Sequence, residues 1–189
     1  MMLLLHEPSD TEIRRFIADQ AARPFSYAEV GATGARPPAG TAVDHNRIRL
    51  GVGDDAFSRA VAAVRAWRMF AIGGVQLCWP DAPIAAGTTV AILARLGFVW
   101  SLNACRIVYV VDQPERFGFA YGTLPEHAVR GEERFLVERD ASGEVSYDLL
   151  AFSRPSSRVL AIGRPLLRTA QRRFAAASKQ AMWRAVSGG

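Results

Sequence analysis

The sequence is poor in cysteine, lysine and histidine, and these shortages narrow the functions that it can have. Only two of the 189 residues are cysteines, Cys78 and Cys105, and neither has a second cysteine or a histidine at metal-binding spacing. Zinc and iron–sulfur sites need such spacing. We therefore expect two buried free thiols, no metal site and no cofactor.

Lysine is nearly absent, because 22 of the 23 basic residues are arginine and Lys179 is the single lysine. The net charge is +5. No nucleic-acid motif accompanies the arginines, and aromatic residues are not interleaved with them as base stacking requires, so we expect no nucleic-acid partner. The segment 156–189 contains no acidic residue. Peripheral contact with anionic lipid therefore stays open beside the simpler interpretation of a solvated helix face.

Long hydrophobic runs are missing as well. No apolar stretch approaches the roughly 20 residues of a transmembrane helix, and the initial MMLLL is too short for a signal sequence. These features predict a cytoplasmic protein. Half of the residues are hydrophobic and 22% are charged, as in ordinary globular domains. The length suits one domain over residues 1–189 with a substantial core, and the oligomeric state stays open.

Helical periodicity is present near both ends. Ser9 and Glu12 have the spacing of a capping box, which predicts a short helix that ends before Pro24. A second helix is predicted over about 54–69, and a short one over Ser156–Ile162. A long C-terminal helix follows Pro165. Its predicted buried stripe is mostly small, so that it can pack closely: Leu167, Ala170, Phe174, Ala177, Ala181 and Ala185.

Between these helices the hydrophobic period changes to two, which predicts strands. The turns between several of them are short, so antiparallel pairing is favoured over crossovers. A further short strand is predicted over Asn46–Leu50. The six main predicted strands are Val75–Trp79, Thr88–Arg95, Val99–Val111, Arg116–Thr123, Glu132–Arg139 and Val145–Ser153.

The predicted strand Arg116–Thr123 has one bulky face and one bare face. Phe117, Phe119, Tyr121 and Thr123 alternate with Gly118, Ala120 and Gly122. Another element or a ligand must lie close to the bare face. We expect the C-terminal helix there.

Three runs of sequence resemble uncharacterised protein family 0548, a domain of unknown function found in bacteria and plants. They are FGFAYGTLPEH (117–127), GEERF (131–135) and AFSRP (151–155). Tyr27, Gly31-Ala-Thr33 and Gln171 are weaker matches. The resemblance covers residues 25–186 and leaves 1–24 as an N-terminal helical extension. It implies no known reaction, substrate or cofactor.

The order of elements resembles the α+β helix-grip fold of the START and birch-pollen-allergen superfamily. That resemblance implies a curved antiparallel sheet of about six to seven strands wrapped on the long C-terminal helix, with an apolar cavity between them. The expected function is binding of a small apolar or amphipathic ligand in this cavity. The residues that we expect to contact the ligand are Tyr121, Thr123, His127, Glu133, Phe152 and Arg154.

Two alternatives remain open at this stage. His127 lies near several glutamates, so it could act with Glu133 as an acid–base pair in an enzyme of unknown reaction, or merely cap its turn. Glu132 and Glu133 must point to opposite faces of a strand, and we expect the inward one to pair with Arg134 or Arg154. The other alternative is a structural or protein-interaction domain that has no ligand.

Overall fold

The structure is a computed structural model, and it describes residues 2–79, 81–156 and 164–188. Its helices are α1 (Asp10–Ala21), α2 (Gly53–Arg65) and α3 (Arg164–Ser187). Two 3₁₀ turns span Ala32–Gly34 and Arg68–Phe70. The strands are β1 (Met2–Leu4), β2 (Ala42–Val52), β3 (Val75–Cys78), β4 (Thr89–Leu96), β5 (Val99–Gln113), β6 (Arg116–Thr123), β7 (Val129–Arg139) and β8 (Glu144–Pro155).

The strands form one antiparallel sheet in the order β2-β8-β7-β6-β5-β4-β3, and β1 pairs with the free edge at the start of β5. The predicted strands are confirmed, and β1 and the full length of β2 are additions. β2 is longer than its hydrophobic pattern indicates, because exposed and partly buried side chains alternate along this edge strand. The predicted helix Ser156–Ile162 lies almost entirely outside the described residues.

Helices cover both faces of the sheet. α2 and α3 pack on the face that we call the inner face, where Phe119, Phe135 and Tyr147 belong to the main core. α1 packs on the opposite, outer face through Ile13 and Phe16, and its predicted capping box between Ser9 and Glu12 is present. None of the helices in the described part of the chain is long and apolar enough to cross a membrane.

The buried side of α3 overlaps the predicted stripe and extends beyond it. Ala181 is buried, and Phe174 and Ala185 pack against the core, whereas Ala170 is exposed. Further buried positions in the second half of α3 are Ala175, Ser178, Met182 and Val186. The hydroxyls of Ser178 and Tyr147 are 2.9 Å apart and hydrogen-bonded in the core. The apolar pattern could not indicate Ser178, because this buried contact with Tyr147 of β8 is made by a polar residue.

The bare face of β6 is the outer face, so the expectation that α3 covers it is wrong. α3 lies on the aromatic face, and Tyr27 lies over Gly122. A Cβ added at Gly122 would be 2.1 Å from the Tyr27 hydroxyl oxygen. At Gly118 an added Cβ would be 2.1 Å from the carbonyl oxygen of Phe135. The two glycines are therefore required by close neighbours, one a side chain and one a backbone.

We predict that Gly122→Ala lowers the free energy of unfolding by about 2–3 kcal/mol through overpacking against Tyr27. In a Tyr27→Ala background the same change should cost much less, since the obstructing ring is gone. Gly118→Ala is the control, because its clash with the Phe135 carbonyl persists whatever residue stands at 27. Urea unfolding of the single and double variants measures the coupling. Additive effects for the 27/122 pair would contradict the predicted contact.

Candidate functional site

Polar side chains gather on the inner face at the end of the sheet where α3 begins. Tyr121 of β6 is opposite Glu133 of β7, Glu133 is opposite Ala151 of β8, and Ala151 is opposite Asp44 of β2. This register places the four side chains in one row across the sheet. The Tyr121 hydroxyl donates a hydrogen bond of 2.8 Å to Oε2 of Glu133.

Helix α3 adds Arg168 and Gln171 to this row and to the next. Both Nη atoms of Arg168 donate to the Asp44 carboxylate, one of them over 2.6 Å. Nε2 of Gln171 donates to Oγ of Ser153 over 2.9 Å. Ser153 is two residues beyond Ala151 on the same face, about 7 Å along the strand. We call Asp44, Tyr121, Glu133, Ser153, Arg168 and Gln171 the inner polar cluster.

A cavity of about 260 Å³ opens beside this cluster. Its lining includes Ala42, Ser153 and Arg154 from the sheet, and Leu167, Arg168 and Gln171 from α3. The next row of the sheet, beyond Ser153, contains Ala151 and Glu133. Both residues face the helix and yet remain partly exposed. α3 therefore does not seal the sheet at its N-terminal end.

Glu133 has the most unusual electrostatic environment of the cluster. Burial raises the pKa of Glu133 to about 7, the hydrogen bond from Tyr121 opposes this rise, and the charge of Asp44 adds to it. Burial also raises the pKa of the Tyr121 hydroxyl well above its usual range, with Glu133 as a further cause. The carboxyl group can therefore gain or lose a proton near neutral pH while the phenol stays protonated.

The neighbouring Glu132 points to the outer face and has a different role. Its carboxylate accepts hydrogen bonds from the Tyr27 hydroxyl (2.7 Å), the Gly31 N–H (2.7 Å), the Thr33 N–H (2.9 Å) and the Thr33 hydroxyl. These donors occupy both of its oxygens. The expectation that Arg134 or Arg154 pairs with the buried glutamate is wrong, because hydroxyls and backbone amides satisfy it instead.

Three of the other candidate residues contact the segment that precedes β2. The hydroxyl of Thr123 is 2.7 Å from that of Ser26 and accepts the N–H of Gly131. The ring of Phe152 packs edge-on against Tyr27, with centroids 5.7 Å apart. Arg154 forms an ion pair of 3.0 Å with Glu29. Phe152 and Arg154 thus lie on the outer side of β8, although Arg154 also reaches the cavity rim.

His127 lies in the β6–β7 loop, and its side chain is hydrogen-bonded to the start of β7. Its Nδ1 accepts the N–H of Val129 over 3.1 Å. Burial lowers the pKa of His127 to about 4, so the imidazole is uncharged at neutral pH. In the described part of the chain no hydrogen bond joins His127 to Glu133, whose partner is Tyr121. The contacts of His127 are those of a turn cap and give the acid–base pair no support.

No sequence pattern marks Asp44 or connects Arg168 or Gln171 with a site. A local pattern could not show the contact between Asp44 and Arg168, because the two residues are 124 positions apart in the sequence. Gln171 could have been found, since it is one of the positions that resemble the family. Within residues 2–79, 81–156 and 164–188, no group of three His, Cys, Asp or Glu side chains is arranged to hold a metal ion.

A larger groove of about 860 Å³ lies beside α1, away from the inner polar cluster. Its lining is mostly exposed and includes Asp19, Ala22 and Arg23. Gln20, at its edge, already accepts the N–H of Glu126 through Oε1. This groove is wider than the cavity under α3 but offers no buried polar group without a partner.

Comparison with known proteins identifies the family. Residues 26–181 match the model of a domain of unknown function, DUF1990. This chain belongs to that family. A UPF0548 protein of Deinococcus radiodurans is 40% identical over 185 residues, with 92% of this chain and 93% of the relative covered. A UPF0548 protein of Dictyostelium discoideum is 34% identical over 98% of this chain and 96% of its own length. The family is therefore not confined to bacteria.

Solved structures of low sequence identity share the helix-grip fold. Norcoclaurine synthase from Thalictrum flavum, in complex with dopamine and hydroxybenzaldehyde, has a TM-score of 0.51 at 13% identity, over 78% of this chain and 87% of that one. The aromatase/cyclase Zhui from Streptomyces sp. R1128 has a TM-score of 0.51 at 11% identity, over 78% and 94%. A hypothetical protein from Helicobacter pylori also scores 0.51, at 13% identity over 79% and 88%. At these identities the likeness shows the fold alone.

We predict that Glu133→Gln removes a pH dependence of stability. The pKa of Glu133 is raised from 4.5 to about 7, so the folded state binds more protons than the unfolded state between these values. Stability must then fall as pH rises through this window. The variant should gain stability over the wild type from pH 5 to pH 8, by on the order of 1–3 kcal/mol.

Urea unfolding at the two pH values measures this difference. The opposite trend from His127, whose pKa is lowered, is present in both proteins and cancels. Glu115→Gln, at the exposed β5–β6 turn, controls for net charge. An equal stability difference at pH 5 and pH 8 for Glu133→Gln would contradict the assigned environment.

Proposed function

We propose that the protein binds a small amphipathic molecule between the inner face of the sheet and the N-terminal half of α3. Tyr121 and Glu133 would contact its polar end, and Arg154 would lie at the rim with Leu167. The observation that carries the proposal is the incomplete cover over Glu133 and Ala151, which face a helix and yet remain partly exposed.

The packing of aromatic rings on the inner face supports this position for the ligand. Deeper in the core, the rings of Phe70, Phe119, Phe135 and Phe174 contact one another at centroid distances of 5.2–5.7 Å. Aromatic side chains thus fill the region that a helix-grip cavity would occupy further along the sheet. The remaining volume of about 260 Å³ is close to the lower end of the ~300–1,000 Å³ typical of ligand sites, so a small ligand fits best.

The chemistry of the lining favours an amphipathic ligand. Ala42, Pro155 and Leu167 line the cavity with apolar surface. Ala151 and the Glu133 carboxyl group lie opposite each other in the next row of the sheet, beside the lining residue Ser153. Small-molecule sites commonly combine apolar walls with a few placed polar groups. The norcoclaurine synthase complex, whose two small molecules are known, supports ligand binding by this fold but not the identity of any ligand here.

Filling the opening should abolish binding. We predict that Ala151→Leu weakens the affinity for the neutral fluorescent probe N-phenyl-1-naphthylamine at least tenfold, because the larger side chain occupies the space beside Glu133. Ala176→Leu is the matched control, since Ala176 is on the exposed side of α3. Fluorescence titration gives both dissociation constants, and native mass spectrometry of the purified protein reports any co-purifying molecule.

Two results would count against the proposal. One is the absence of saturable probe binding by the wild type together with the absence of any co-purifying molecule. The other is equal probe affinity in the Ala151→Leu and Ala176→Leu variants, which would place the probe elsewhere. The first result would favour a structural or protein-interaction domain, and the second would overturn the proposed position of the ligand.

A further inference from the structure

The charges at the inner end of the opening are not balanced. Asp44 and Glu133 are both carboxylates, and Arg168 is the only cation in the inner polar cluster. Arg168 uses both Nη atoms on Asp44, as a bidentate guanidinium–carboxylate pair does. Glu133 therefore lacks a cationic partner within the cluster.

Three other cations of β7, β8 and α3 have partners elsewhere. Arg134 points to the outer face, where it pairs with Asp148 over 2.8 Å. Arg154 is paired with Glu29. Lys179 of α3 donates to Oδ1 of Asn46, on the row next to Asp44 and further along the helix. None of them forms an ion pair with Glu133.

Glu133 also has unused hydrogen-bonding capacity. Its single hydrogen bond, from Tyr121, is made by Oε2, and Oε1 has no partner among the described residues. A carboxylate removed from water is costly unless it is paired or protonated. Tyr121 holds the group in one orientation and leaves the second oxygen for an incoming donor.

We infer that the ligand carries a cationic amine, and that this amine donates a hydrogen bond to Oε1 of Glu133 while the apolar part lies over Ala151 toward Leu167. This inference rests on the proposed function. An ammonium group supplies the missing counter-charge and donor at once. A ligand carboxylate at this position would instead face Glu133, a group of like charge, while the nearby Arg168 is held by Asp44.

Binding of an amine should change the protonation of Glu133, and this change can be measured. A cation beside Glu133 favours the ionised carboxylate and so lowers its pKa from about 7. The groups that face Glu133 are Tyr121, Asp44 with its partner Arg168, and the ligand itself. Near pH 6.5 amine binding should therefore release a fraction of a proton to the buffer, whereas binding of a neutral analogue should release none.

The test compares three probes with the same eight-carbon chain: octylamine, octan-1-ol and octanoate. Isothermal titration calorimetry with the full-length protein should give a dissociation constant for octylamine at least tenfold below that for octan-1-ol, with octanoate the weakest. Titrations in two buffers of different ionisation enthalpy should detect proton release for octylamine alone.

Glu133→Gln should reduce the preference for octylamine over octan-1-ol to within about twofold while octan-1-ol binding persists. Asp44→Asn, which frees Arg168, should improve octanoate binding. Glu115→Gln is the charge control and should leave the order of affinities unchanged.

The outcomes separate this inference from the proposed function. If octan-1-ol or octanoate binds wild type as tightly as octylamine, or if Glu133→Gln keeps the amine preference, the amine inference is overturned and ligand binding stands. If none of the three probes binds, N-phenyl-1-naphthylamine does not bind and no molecule co-purifies, the proposed function is overturned, and the amine inference is overturned with it.

Discussion

The hydrogen bonds to the buried Glu132 carboxylate connect the N-terminal segment to the sheet. Tyr27 and Thr33 reach it from more than 90 positions away in the sequence, and Gly31 adds a backbone amide. Hydrogen bonds to a charged group are stronger than neutral ones, and the four donors together offset the cost of burying this carboxylate. The segment that precedes β2 is therefore held across the outer face at the end of β6, β7 and β8.

This anchor also determines the orientation of Glu133. Because side chains alternate along a strand, fixing Glu132 on the outer face forces Glu133 to the inner face, toward α3. A shift of one residue in the register of β7 would exchange the two glutamates and leave Tyr27 and Thr33 without an acceptor. The two adjacent glutamates therefore have different roles. One stabilises the fold with four donors, and the other receives a single hydrogen bond from the described residues, beside the opening.

Local patterns predicted the helices, the antiparallel order and the strands, since hydrophobic period and turn residues depend on near neighbours. The partners of those elements were harder to predict. The glycines of β6 correctly indicated close packing, but the identity of the neighbour depended on Tyr27, and α3 was the wrong element. The sequence indicated that either Glu132 or Glu133 is buried, but not which one, nor that hydroxyls and amides would satisfy Glu132 in place of Arg134 or Arg154. Asp44 gave no local signal, because its place beside Glu133 follows from pairing in register through β8.

The chemistry of position 133 is hard to explain by folding alone. A glutamine there could accept the Tyr121 hydrogen bond through its amide oxygen without carrying a charge into the interior. The carboxylate gains nothing further from the described residues, and burial together with Asp44 raises the pKa of Glu133. Residues that weaken a fold locally are characteristic of sites where function requires them. The neighbouring Glu132 shows how fully this protein can satisfy a buried carboxylate. Among the residues that the structure describes, Glu133 has one hydrogen-bond donor, Tyr121, and the amine inferred above would supply a second.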